Sequence, residues 1–343
     1  VQFLGNSWVR DALHRMIHNR RIPQTLLFSG PEGVGKATLA RRFAAELLGD
    51  PHQRIERDDL SLEANQAILA EREKWPAEKR AEDPLQFASH PDFATFPPDG
   101  PLRQISIQQM RLLKDRAALK PLAGAWRVFL IDRIDRANEQ AANSLLKTLE
   151  EPPEHAVFIL TAVNPYDLLP TIRSRAVSFH LGPVPEAEMR AFLADRGASE
   201  PGRRVALARG CPGFAVSLDL ATYDQRRAAM LKLLEAAAGR IPFIDWLPVA
   251  ESLASRKTEK LDFYIEVLYS LANDLLLARS GAPGLRNPDL RGPLETLARH
   301  VSFAWLRQAV RQVDELSEFS RRNIQKSLAF DGFLLALRRA PAV

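Results

Sequence analysis

The segment Gly30-Pro31-Glu32-Gly33-Val34-Gly35-Lys36 has the spacing G-x-x-x-x-G-K. In that spacing the glycines let backbone N–H groups close around phosphate oxygens, and the lysine reaches the outer phosphates. It follows an apolar run, TLLF at 25–28, and opens a helical pattern. That setting gives the spacing its mechanism, because a helix N-terminus favours negative charge. Gly30, Gly33, Gly35 and Lys36 are therefore candidate phosphate-binding residues. The next position departs from the working pattern, which places a Ser or Thr hydroxyl on Mg²⁺. Here it is Ala37, and the hydroxyl arrives one residue late at Thr38, about 100° further around the helix. Asp132 closes the apolar run 128–131, and a carboxylate at the end of a buried strand suits a Mg²⁺-associated role. Arg133 follows it, where a hydrolytic site needs a base; a guanidinium accepts no proton and is repelled by a metal cation. The residues thus read as a phosphate loop with disabled hydrolytic machinery. Residual nucleotide and Mg²⁺ binding stays open, because Lys36 and the loop amides survive.

These residues need a sheet to hold them. Extended patterns occur at TLLF, DFATF (92–96), WRVFLID (126–132), AVFILTAV (156–163) and AVSFHL (176–181). Helical patterns lie between them: Val9, Leu13, Met16 and Ile17 after a capping Asn6, IQQMRLLKDRAAL after Ser106, and 138–150 before Pro152-Pro153. Five strands with helical crossovers predict an α/β fold with a five-stranded parallel sheet covered on both faces. Residues 49–89 are polar and poorly periodic, and read as an insertion with some helix in SLEANQAILAEREKW. Beyond Pro183 the pattern is helical, with Gly/Pro punctuation at 210–213 and 281–293. The expected division is a sheet domain at 1–183, a small helical domain at 184–222 and a helical C-terminal domain at 223–343. The amphipathic stretch 304–339 suits either packed core or a partner interface.

Composition narrows the class. Apolar residues make up 46% and charged residues 26% of 343, as in ordinary globular proteins. The lone Cys211 rules out an intrachain disulfide and a Cys-based zinc site. No apolar run approaches a membrane span, and VQFLGNSWVR lacks the basic start of a signal peptide, so a cytoplasmic location is expected. The net charge of +5 is compatible with a nucleic-acid partner without requiring one. Arg111, Lys114, Arg116 and Lys120 suit DNA contact or a solvated helix face equally.

The run AANSLLKTLEEPP at 141–153 and LLPTIRSR at 168–175 closely resemble the clamp-loader branch of AAA+ P-loop proteins. His90-Pro91-Asp92 with ISIQQMRLL looks like its delta-prime and gamma/tau families. The resemblance implies an AAA+ sheet domain, an all-α lid and an all-α collar through which subunits form a ring. It implies as partners the gamma/tau and delta clamp-loader subunits, and the sliding clamp and primer–template DNA through the assembled complex. In the family a Ser-Arg-Cys motif presents an arginine to the neighbouring ATP site. Here Ser174-Arg175-Ala176 keeps the arginine, making Arg175, with Ser174, the candidate catalytic group supplied in trans. An arginine suits that role through its permanent charge and planar fork. Without the resemblance, Arg175 reads as a structural ion pair.

The lid motif resembled by Gly210-Cys211-Pro212-Gly213 would carry a second arginine, and Gly213 stands in its place. The loss of three ATPase elements with retention of the donated arginine suits the delta-prime family better than the gamma/tau motor, which is the alternative. Family members commonly carry a four-cysteine zinc module between the phosphate-loop helix and His90, and residues 49–89 contain no cysteine. No zinc is expected, and His52 and His90 alone are too few for a tetrahedral site.

Overall fold

The five apolar runs become five parallel strands in the computed structural model, which describes residues 3–255, 259, 261–320 and 325–338. They are β1 (Thr25–Ser29), β2 (Phe93–Phe96), β3 (Arg127–Ile131), β4 (Ala156–Ala162) and β5 (Val177–His180), in the order β2-β3-β4-β1-β5. Every residue of β1 to β4 is buried, the signature of strands covered on both faces. The edge strand β5 buries only Phe179.

Side chains alternate between two cores. Leu27, Phe129, Ile131, Phe158 and Leu160 face α5 (Ile107–Ala117) and α6 (Glu139–Glu150). Leu26, Phe28, Val128, Leu130, Val157 and Ile159 face α1 (Ser7–His18) and α2 (Lys36–Leu48). Ser106 and Gln109 form a complete capping box on α5, and Asn138 caps α6 by accepting from the Ala141 N–H at 2.8 Å. Asn6 does not cap α1 as its type suggests. It lies in the left-handed region, and its amide instead pairs with both backbone groups of Gly182, at 3.0 and 2.9 Å.

Between α2 and β2 the chain forms a short 3₁₀ turn (Ile55–Asp58), α3 (Glu63–Arg72) and α4 (Ala77–Glu82). Buried charge holds this insertion in place. The Arg41 guanidinium, from α2, pairs with Asp59 and Glu56. The buried Arg72 binds Asp99 at 2.8 Å and Asp83 at 3.0 Å, and stacks on Trp75 with 4.6 Å to the ring centroid. Among the described residues no cluster of three or more His, Cys, Asp or Glu side chains is arranged to hold a metal.

Two structural units are resolved by their internal packing: residues up to 199 together with 208–216, and residues 200–207 together with 217 onward. The first also contains α7 (Pro170–Arg173), α8 (Glu186–Ala194) and most of α10 (Pro212–Ser217), and α9 (Pro201–Ala208) belongs largely to the second. The second is helical: α11 (Leu220–Ala237), α12 (Leu247–Ser255), α13 (Leu261–Ser280), α14 (Arg291–His300), α15 (Phe303–Ser320) and α16 (Lys326–Arg338). Trp246, Tyr264, Trp305 and Phe330 centre its core. Much of the amphipathic stretch 304–339 is packed there, with Trp305, Leu306, Val313, Phe333 and Leu337 all buried. Residues 321–324 and 339 of that stretch lie outside the described ones. Among the described residues no helix is long and apolar enough to cross a membrane.

Candidate functional site

The strand register assembles the phosphate site. β4 lies between β3 and β1, with Ile131 opposite Leu160 and Phe28 opposite Thr161. The C-terminal ends of the three strands therefore bring Asp132, Thr161 and the loop that begins at Gly30 to one edge of the sheet. That edge, where the strand order reverses, is where ligands bind in open α/β sheets.

The loop has the conformation its glycines allow. Gly30, Gly33 and Gly35 have φ of 140°, 78° and 104°, which L side chains rarely adopt. A Cβ on Gly30 would lie 2.3 Å from the Leu181 carbonyl oxygen, so that position is closed to any other residue. Lys36 is buried at the start of α2, and its ammonium donates to the Gly30 and Pro31 carbonyls at 2.7 and 2.8 Å. Burial lowers its pKa, opposed by the nearby Asp132 carboxylate.

Asp132 retains some surface access yet is surrounded by protein, and desolvation raises its pKa. Its Oδ1 accepts from the Thr161 hydroxyl at 2.6 Å, and Thr161 Oγ1 accepts from the Arg133 N–H at 2.8 Å. Thr161 thus orders the turn that carries both residues. Composition alone gave no reason to single it out, although a polar residue near the C-terminal end of AVFILTAV is the available signal.

Arg133 leaves the strand in a left-handed conformation, φ 60°. Its guanidinium reaches back to the loop, pairing with Glu32 at 2.9 Å and with Asp135 at 3.4 Å. A cation therefore stands beside the phosphate loop, and Glu32, not singled out from the sequence, is its partner. Ala37 and Thr38 lie half-buried in the first turn of α2, and Ala37 offers no hydroxyl at the position that precedes Thr38. The loop's outer side is met by α10: the Gly213 N–H donates to the Gly33 carbonyl at 2.8 Å. A Cβ on Gly213 would sit 3.0 Å from that same oxygen, so a longer side chain there would press on the loop.

Arg175 and Ser174 find their partners elsewhere. Arg175 follows α7, donates to the Thr171 carbonyl at 3.0 Å, and pairs with Glu150 at the end of α6 at 2.9 Å. Its side chain is 34% exposed and that of Glu150 is 47% exposed. Ser174 Oγ donates to the Thr171 carbonyl at 3.1 Å. The site residues thus form two groups. Gly30, Gly33, Gly35, Lys36 and Asp132 share one sheet edge with Thr38 in the helix that follows, and Ser174 and Arg175 sit on an exposed corner beside α6. Glu150, which holds Arg175, is the third residue, after Thr161 and Glu32, that sequence reasoning did not single out.

A family model described as "DNA polymerase III, delta subunit" matches residues 5–185. The DNA polymerase III subunit delta' of Escherichia coli K12 is 29% identical over 258 residues, covering 74% of this chain and 75% of that one. The DNA polymerase III subunit tau/gamma of Haemophilus influenzae is 30% identical over 197 residues, 56% of this chain but only 25% of that longer protein. A solved gamma subunit-related protein from Thermotoga maritima overlaps 95% of this chain and 98% of its own, at 18% identity and a TM-score of 0.45, too slight a likeness to argue from. The family model spans more than half of the chain, which therefore belongs to the DNA polymerase III delta-subunit family, on its delta-prime clamp-loader branch.

Proposed function

We propose that this clamp-loader subunit supports ATP hydrolysis at a neighbouring subunit by donating Arg175, while its own phosphate site does not hydrolyse nucleotide. The observation that carries the reading is the contrast between the two groups of residues. Arg175 is exposed, with its guanidinium held by the Thr171 carbonyl and paired with a carboxylate that is itself half in solvent. Such a pair is worth about 0–1 kcal/mol, so a phosphate presented by another chain can replace Glu150. The chain's own loop has Ala37 in place of the Mg²⁺-binding hydroxyl, and Arg133 where a base is needed. Gly213, tight against Gly33, supplies no second guanidinium.

In this reading the partners are gamma/tau and delta subunits, and the assembly acts in the cytoplasm on the sliding clamp and primed DNA. The organisation into a sheet domain (1–183), a lid (184–222) and a collar (223–343) is part of the same proposal. The competing reading, an ATP-hydrolysing gamma/tau-type motor, draws on the intact glycines and Lys36, and Ala37 and Arg133 count against it.

The test is steady-state ATP turnover of the reconstituted loader with clamp and primed DNA. Arg175→Ala in this subunit should reduce turnover far more than Lys36→Ala. If Lys36→Ala were the damaging change, the motor reading would replace this one.

A further inference from the structure

The chain has kept a preformed phosphate loop and put a fixed cation beside it. Three glycines hold their positive-φ conformations, which gives the loop the shape of an anion nest at the start of α2. Lys36 is buried against that loop, with two neutral carbonyl oxygens as its acceptors. The Mg²⁺ position has lost its hydroxyl to Ala37. On the residue after Asp132, a guanidinium now reaches the loop and contacts its third residue, Glu32. These groups fit the phosphates of a nucleotide and do not fit Mg²⁺.

We propose that this loop binds a nucleoside di- or triphosphate without a divalent cation, with Arg133 taking the place of Mg²⁺ against the outer phosphates. The inference rests on reading Gly30–Lys36 as a nucleotide loop that does not hydrolyse its ligand.

The guanidinium is suited to the task in three ways. It carries a permanent charge, it offers paired N–H donors that match two phosphate oxygens, and it needs no dehydration of a metal ion. Its present partner does not compete strongly. Glu32 is 74% exposed, and exposed ion pairs contribute little, whereas a polyphosphate brings several negative charges to both Arg133 and Lys36. The Arg133 side chain is itself only 19% exposed and is braced by Asp135, and its backbone N–H is fixed by Thr161. It is therefore positioned before any ligand arrives. The same group explains why bound nucleotide would persist: nothing at residue 133 can activate water, so the ligand is structural.

The test is isothermal titration calorimetry of the full chain with ADP, ATP and inorganic pyrophosphate, in excess EDTA and again in excess Mg²⁺. Pyrophosphate shows whether the polyphosphate alone suffices. The expected result is nucleotide binding in EDTA, with an affinity that Mg²⁺ improves by less than about threefold. Arg133→Ala should weaken it about tenfold to a hundredfold, the loss of a charge-assisted contact. Arg133→Glu, on the solvent-accessible turn, should make the remaining binding depend on Mg²⁺. A chain that binds none of the three ligands up to millimolar concentration overturns the proposal, as does binding that needs Mg²⁺ or is unchanged in Arg133→Ala. None of these results bears on Arg175, which is read in the assembled loader.

Discussion

Arg72→Met should be among the most damaging single changes in the insertion, and the structure gives the reason. The guanidinium is buried, and its Nε and Nη2 donate to both oxygens of Asp99, at 3.1, 3.2 and 2.8 Å. Its Nη1 meets the Asp83 carboxylate at 3.0 Å, and Nη2 also reaches the Asp83 carbonyl at 2.5 Å. Burial disfavours the charge, yet Asp99 and Asp83 outweigh it and raise the Arg72 pKa. Methionine keeps much of the volume and removes every donor. Asp99, only 8% exposed, would then be left as a buried carboxylate with the Gly100 N–H for company. Leaving one member of a buried pair without its partner costs about 3–5 kcal/mol. Asp83 is 69% exposed, so Asp83→Ala should cost no more than about 1 kcal/mol. Urea unfolding of the two variants against wild type, followed by the fluorescence of Trp75 and the other tryptophans, separates the cases. Equal losses for Arg72→Met and Asp83→Ala would refute the assignment of the insertion's stability to the buried Arg72–Asp99 pair.

Three further outcomes follow from the geometry. Glu150→Gln removes an exposed partner, so it should change stability by less than about 1 kcal/mol and leave the loader's ATP turnover undiminished; a collapse of turnover would mean that Glu150 is needed to present Arg175. Asp132 has a folded pKa raised above its ordinary 3.8, so the folded state holds that proton more tightly than the unfolded chain does. Its contribution to stability therefore falls as pH rises from the ordinary 3.8 toward the raised folded pKa, and Asp132→Asn should gain on wild type as pH is raised above 3.8; parallel pH–stability curves would contradict this. Gly30→Ala places a Cβ against the Leu181 carbonyl at a φ that L residues avoid, and should cost at least about 2 kcal/mol in a thermal or urea melt. A near-neutral Gly30→Ala would show that the loop relaxes freely.

How much of this was legible depended on how local the signal was. The runs at TLLF, DFATF, WRVFLID and AVFILTAV read as strands because burial on both faces demands continuous apolar residues. The glycine spacing at 30–35 reported a backbone requirement directly, and Ser106 announced the cap of α5. The remainder is set by partners distant in sequence. Asn6 looks like a cap but bonds to Gly182, 176 residues away. Arg72 and Asp99 lie 27 residues apart in a segment whose charge suggests only a solvated surface. Thr161, Glu32 and Glu150 gain their roles from strand register and from arginines on other elements, which no single-sequence periodicity encodes.

The central claim, that Arg175 acts on a neighbour's nucleotide, is tested most directly by single-turnover ATP hydrolysis in the reconstituted loader, comparing wild type with Arg175→Ala in this subunit. The account predicts that nucleotide still binds and that hydrolysis at the adjoining site slows on the order of 10³–10⁵-fold, the range for loss of an arginine finger. Unchanged hydrolysis at every site in the Arg175→Ala assembly would contradict it, and would leave the pair with Glu150 as the whole role of that arginine.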